Sequence, residues 1–423
     1  QGELAAHVLG AVGKPLEQTE GQSDSSLVGR SGLELQLDNR LAGSPGERLV
    51  APAREEVLQS PQSGEEVRLT LDVRLQRLAE QLLEESLRRR ELRDPGGPPA
   101  GGAAVVLEAR SGAILAIASA PRFSPAEMAS GAAGPIARWQ HDPRKPLYHR
   151  AVQMALPPGS VFKLVTAAAL LEEGSLPPDD SYVCRGYLHS PDELRCALFR
   201  STGEPHGPTD LHAALVQSCN TYFFDRVQRL EGGLLPAWAD RLGFGRTTGS
   251  GLPGESSGEI PSALEPPGLA VRRQMGIGQG PVTATPLQVA ALVATIANGG
   301  RRGRPHLLAE ETEGATAGRP VLRHETARKL QEAMRDVVAD PRGTAHHPAA
   351  AGLLAGKTGT AETGGRGAPH AWFAGFAPCE EPEIAIAVVI EHGGDGGSAA
   401  APLARILAER WREISAARLA HRP

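Results

Sequence analysis

The sequence predicts an α+β fold, an antiparallel sheet packed with helices, on three observations. A hairpin signal comes early, apolar helical patterns fill the middle, and three apolar strand-like runs precede a last amphipathic helix. At 423 residues the chain has the length for one large domain with a good core and a smaller appendage.

Residues 1–65 are polar and rich in Gly, Pro and Glu, with alternating pieces such as Leu33-Glu34-Leu35-Gln36-Leu37. They read as a small, strand-containing, partly irregular module, and residues 66–423 as the main domain. Residues 71–90 place Leu at helical spacing among Glu and Arg, an amphipathic helix that the Pro- and Gly-rich run 95–102 ends. Runs 103–108 and 113–118 flank Arg110-Ser111-Gly112 as a hairpin. Residues 286–298 are a helical pattern ended by Gly299-Gly300, and 309–319 read as a surface loop. Three further strands are expected at 353–363, 372–377 and 384–391, the last two separated by a Pro-bounded turn. Residues 400–419 close the chain as a helix.

Composition excludes some classes of function. The net charge of -5 is mild and aromatics are only 4% of residues, so no nucleic-acid partner is expected. The apolar run 286–297 is interrupted by Gln288 and too short to span a bilayer. The chain starts at Gln1 without a signal pattern, so a natural N-terminus further upstream is expected.

The chemistry gathers around Pro157-Pro158-Gly159-Ser160, which leads into an apolar run ending at Gly174. Ser160 is expected to open a buried helix with Lys163 one turn on, its amine within reach of the hydroxyl. Desolvation favours a neutral amine, which can take the proton of an attacking serine. The bland alternative is a serine N-cap and a lysine reaching solvent. Only five of the 44 basic residues are lysine, however: Lys14, Lys145, Lys163, Lys329 and Lys357. Ser218-Cys219-Asn220 follows Ser160 by 58 residues, and Lys357-Thr358-Gly359-Thr360 lies far downstream. Each has its own plain reading, as turn or cap chemistry and as a strand end with a bulge glycine. Gly276-Ile277-Gly278-Gln279-Gly280 looks like half a nucleotide loop but lacks the preceding strand and the following acidic residue.

A second cluster is Cys184, Cys196, His206 and Cys219, in a segment with little core of its own. Three thiolates and an imidazole suit a closed, structural zinc. A Cys184–Cys196 disulfide with Cys219 buried is the alternative, His189 and His212 are fallback ligands, and Cys379 reads as a spectator in a turn.

Taken together and in this order, Ser160-x-x-Lys163, Ser218-x-Asn220 and Lys357-Thr358-Gly359 form the set found in penicillin-binding proteins and class A β-lactamases. The chain resembles penicillin-binding transpeptidases over nearly its whole length. Thr70-Leu71-Asp72-Val73-Arg74-Leu75-Gln76, Gly278-Gln279-Gly280 and Thr285-Pro286-Leu287-Gln288 look like family signatures. Gly29-Arg30-Ser31-Gly32-Leu33-Glu34 resembles the pedestal of class B members, here only partial. His206-Gly207, residues 211–215, 371–378 and the cysteine cluster are similar to the elongation type, penicillin-binding protein 2.

On this reading Ser160 is the nucleophile, Lys163 its base and Ser218 a proton relay, while Asn220 offers its amide to the substrate backbone. Lys357 and Thr358 suit a substrate carboxylate, and Gly359 leaves room for an extended peptide along the strand. By family analogy the backbone N–H groups of Ser160 and Thr360 form the oxyanion hole, worth about 3 kcal/mol per donor. The resemblance implies the D-Ala-D-Ala end of peptidoglycan stem peptides as donor and β-lactams as covalent inhibitors. It implies a SEDS-type glycan polymerase and an elongation scaffold as partners, and a zinc at the cysteine cluster. The expected place is the periplasmic face of the inner membrane, held by an anchor absent from this chain. A carboxypeptidase or β-lactamase, or a non-catalytic β-lactam sensor or scaffold, are the competing readings.

Overall fold

Five strands, buried along nearly their whole length, pair antiparallel into one sheet: β1 (Gly102–Glu108), β2 (Ile114–Ala120), β3 (Ala355–Ala361), β4 (His370–Ala377) and β5 (Ile384–Ile390). Their order is β3-β4-β5-β1-β2, so the C-terminal meander docks on the early hairpin through Ile386 opposite Val106. The computed structural model describes residues 2–14, 27–51, 54–177, 179–313, 318–365 and 367–420.

Continuous apolar strands require cover on both faces, and both are covered. On one side lie the helices near the chain ends, α1 (Val73–Arg93) and, alongside it, Ala401–Ala420. Asp72 caps α1 by accepting from the Arg74 and Leu75 amides, and Leu75, Ala79, Leu83 and Leu87 repeat every four residues to meet Ala104, Val106 and Phe373. On the other face Ala103, Val105 and Leu107 join a core built from the middle of the chain. Its centre is the helix Pro286–Ala297, opened by a Thr285–Gln288 capping box and buried at every position. Full burial explains why that helix is apolar on all sides. With it pack the helices Lys163–Glu172 and His324–Ala339.

The N-terminal module meets α1 through the Ala5 amide, which donates to Glu80 Oε1 at 2.7 Å, and Arg122 of the main domain, which pairs with Glu80 and Glu84, also donates to Glu3 O at 3.3 Å. Its hairpin, Glu47–Ala51 with Arg54–Gln59, carries the exposed side chains of Leu49, Val50, Val57 and Leu58.

Three expectations are corrected. Leu33 to Leu37 is not a strand: Gly32–Gln36 is a helical turn, because Leu33 and Leu37 also satisfy helical i, i+4 spacing and no strand among the described residues pairs with them. The surface loop expected at 309–319 begins as a helix, Ala309–Glu313, and ends with Arg319–Pro320 paired to Arg301–Arg302; residues 314–317 lie outside the described residues, as do 15–26 of the N-terminal module. Ser160 does not open an α-helix. Gly159–Phe162 is a 3-10 turn and the α-helix starts at Lys163. Among the described residues no helix is long and apolar enough to cross a membrane.

Candidate active site and cysteine cluster

Ser160 is placed by two backbone contacts. Gly159, at φ +54°, donates its N–H to Gly278 O at 3.0 Å and lies against the Thr360 carbonyl, where a Cβ would come within 2.9 Å. Three backbones, at 159, 278 and 360, therefore meet behind the serine. In the tight turn Ser160 and Lys163 still share a face, since residues three apart eclipse in a 3-10 helix. No side-chain cap bond is made there, which removes the N-cap reading of Ser160.

Lys163 is fully buried, and its Nζ finds its partners on Ser218 and Asn220 rather than on Ser160. It donates to Asn220 Oδ1 at 2.6 Å, to Ser218 O at 2.7 Å and to Ser218 Oγ at 3.1 Å. The first two acceptors have no proton to give, but the Ser218 hydroxyl can also donate to a neutral amine. This arrangement accommodates both protonation states of the lysine. Burial pulls the Lys163 amine down to about 8, opposed in part by charge on Cys196 and Cys219. Ser218 itself sits at φ +57°, a conformation a serine adopts only when its surroundings hold it.

Strand β3 brings the third group. It is the edge strand of the sheet, so one row of its backbone groups is left for an extended chain to pair with. Lys357 is buried beside Lys163, and burial first, then the Lys163 charge, holds it well below the usual lysine range, with Asp395 opposing. Thr358 Oγ1 lies 2.6 Å from Thr344 Oγ1, and Thr360 Oγ1 donates to Asp395 Oδ2 at 3.4 Å. Gly359 has a different reason to be glycine from the one expected. A Cβ there would meet Pro158 O at 2.7 Å and Trp372 Cβ at 2.9 Å, so the absent side chain lets the Ser160 turn approach the strand. Ser160, Ser218, Asn220, Thr358 and Thr360 all line one cleft of about 1150 Å³. Thr344 and Asp395 had no motif to mark them, and only the tertiary fold reveals them.

The second cluster converges as well. The ligand atoms of Cys184, Cys196, His206 and Cys219 all lie within 4.8 Å of one another. Tetrahedral zinc with ordinary Zn–S and Zn–N bonds has S···S edges of about 3.8 Å and S···N edges of about 3.5 Å. Here Cys196 and Cys219 are 3.9 Å apart, and His206 Nδ1 is 3.5 Å from Cys184 Sγ and 3.3 Å from Cys196 Sγ. The donor set fits the ion. The sulfurs also accept from the Asn220 amide at 3.2 Å, the Thr221 hydroxyl at 3.1 Å and the Gly186 amide at 3.4 Å, as metal thiolates do. All four cysteines are free, which does not match the disulfide alternative. His212 pairs with Asp336 at 2.8 Å instead of joining the cluster, and His189 is not part of it. Cys379 is buried in a separate turn, its thiol pushed up to about 11 by burial. Asn220 joins the two sites, giving its amide N–H to Cys196 and its side-chain oxygen to Lys163.

The chain is similar to known proteins over nearly its whole length. The family model described as penicillin binding protein transpeptidase domain matches residues 102–409, and that of the penicillin-binding protein dimerisation domain matches residues 1–69. The peptidoglycan D,D-transpeptidase MrdA of Acinetobacter baumannii is 33% identical over 97% of this chain, which spans 65% of that relative's length. A crystal structure of Pseudomonas aeruginosa PBP2 in complex with WCK 5153 superposes with a TM-score of 0.79 at 29% identity, covering 97% of this chain and 90% of that one. The Helicobacter pylori complex of PBP2 with MreC gives 0.83 at 28% identity, covering 98% and 78%. The chain belongs to the penicillin-binding protein transpeptidase family, in the class B branch represented by penicillin-binding protein 2.

Proposed function

We propose that this chain is the catalytic part of a peptidoglycan D,D-transpeptidase of cell-wall elongation, working through an acyl-enzyme on Ser160. The observation that carries the reading is the placement of Lys163 Nζ on Ser218 and Asn220 in the cleft that Ser160 shares with the edge strand β3. The donor peptide adds to the β3 edge with its terminal carboxylate toward Lys357 and Thr358. Ser160 Oγ attacks the carbonyl of the penultimate D-Ala while its proton passes to Lys163. The Ser160 and Thr360 N–H groups receive the oxyanion. The proton then reaches the leaving D-Ala amine through Ser218, and the C–N bond breaks to give the Ser160 ester. An amine from a second strand attacks the ester, loses its proton by the same relay and frees Ser160. Burial of Lys163 keeps a neutral base within range of working pH.

Cys184, Cys196, His206 and Cys219 would hold a structural zinc, whose contribution is to clamp the segment against Ser218-x-Asn220. The Asn220 hydrogen bonds to both sites support that role. The likeness to proteins named peptidoglycan D,D-transpeptidase MrdA supports a location on the periplasmic side of the inner membrane, tethered by an anchor, with a SEDS-type polymerase as partner. The MreC complex of the Helicobacter relative supports an elongation scaffold as a second partner.

The test is a donor peptide ending in D-Ala-D-Ala offered with an amine acceptor, products being read by mass. Release of D-Ala together with a new amide to the acceptor is expected. Release with hydrolysis alone would replace the transpeptidase reading by a carboxypeptidase.

A further inference from the structure

The charged side chains lining the mouth of the cleft are mostly neutralised in place. Arg200 pairs with Glu362 at 2.7 Å, and Arg342 pairs with Asp340 at 2.8 Å. Asp395 accepts from the Ser398 amide at 3.0 Å and from Thr360. Arg195 differs. It lines the same cleft, is exposed, and has no carboxylate partner among the described residues.

Its backbone is nevertheless fixed. Leu194 before it is held at φ +48°, and Cys196 after it donates its N–H to Gly186 O at 2.7 Å and brings its sulfur into the cysteine cluster. An uncompensated guanidinium is thus presented from a pinned segment, in the cleft that Leu198 and His206 also line. Thr358 and Thr360 of the β3 edge strand line the same cleft. A peptide paired to that edge turns alternate side chains to opposite sides. Guanidinium is the group best shaped to receive a carboxylate in two-pronged fashion.

We propose that Arg195 determines donor specificity by binding a second carboxylate of the donor peptide, one carried on the acyl side of the scissile bond. The inference rests on the acyl-transfer reading above and names the substrate class of that site: an acidic peptide, not merely one with a free C-terminus. Synthetic donors can place the group at the residue next to the D-Ala-D-Ala pair or at the residue one further out.

The experiment measures kcat/KM for Ser160 acylation by three synthetic donors: one with both carboxylates free, one amidated at the nearer residue and one amidated at the farther. The unaltered protein is expected to prefer the free acid by about tenfold over one of the amides, which identifies the position, with the difference mainly in KM. In Arg195→Gln that preference falls to about one, and in Arg195→Lys part of it returns. An equal loss on acid and amidated donors in Arg195→Gln, or no preference in the unaltered protein, would overturn the proposal while leaving acyl transfer standing. Absence of any Ser160 ester with all three donors would instead overturn the transpeptidase reading, and this proposal with it.

Discussion

Replacing Gly278 by alanine tests whether the backbone junction behind Ser160 sets its position. Gly278 lies at φ +71°, and an added Cβ would stand 2.1 Å from Gly159 O and 2.7 Å from Phe162 Cβ. The left-handed backbone costs an alanine about 1–2 kcal/mol. The clash adds about 1–3 kcal/mol, because its nearest atom is a carbonyl fixed by the next peptide and not the end of a flexible side chain. A loss of about 2–5 kcal/mol is a large part of the roughly 5–15 kcal/mol that holds a domain together. Relief comes most easily by pushing Gly159 and Ser160 away from residue 278 and against Thr360. A displacement near 1 Å at a nucleophile lowers its rate by about a hundredfold.

Gly280→Ala supplies the control. It also has φ +71°, but its Cβ would meet only Gln274 Cβ at 3.1 Å, so it carries the backbone cost with little clash. Urea unfolding and the second-order rate of penicillin acylation give the two readouts. Gly278→Ala should fall well below Gly280→Ala in both. Matching values for the two variants would refute the claim that backbone contact at 278 positions Ser160.

Two further outcomes follow from the buried groups. Chelation of the purified protein at neutral pH should lower its melting temperature by several degrees and release about one zinc per chain, since binding energy at such a site is folding energy; an unchanged melting temperature with no metal released would contradict the zinc assignment. Acid should destabilise the fold between pH 6.5 and 4, because burial lowers His7 and His370 from 6.5 to about 4 in the folded chain. The unfolded chain binds the extra protons in that window, so stability is complete above 6.5 and falls with pH by up to about 1.4 kcal/mol per unit for each histidine. Urea midpoints that stay level from pH 7 to 4.5 would contradict this.

Much of the site was legible because its chemistry is written in short spacings. Ser160 and Lys163 lie one turn apart, and Lys357 to Thr360 lie on one strand. The five sheet strands were legible as apolar runs too, since a sheet covered on both faces needs them. Relations between distant segments were not legible. Spacing put Lys163 on Ser160, but the fold carries its amine to Ser218 and Asn220, 55 and 57 residues away. Gly359 was read as room for substrate, whereas the atoms nearest its missing Cβ belong to Pro158, Trp372 and Val161. Thr344 comes to Thr358 from a loop that no pattern distinguishes. The Leu33 to Leu37 error has a different cause: five residues with three leucines fit both periods, and only a pairing partner decides between them.

The most direct test of the central claim, that Ser160 is the nucleophile activated in this cleft, is intact mass followed by peptide mapping after incubation with penicillin. A stable adduct of one penicillin on the peptide carrying Ser160, absent from a folded Ser160→Ala variant, is the predicted result. A folded protein that forms no adduct, or one on another residue, would contradict it.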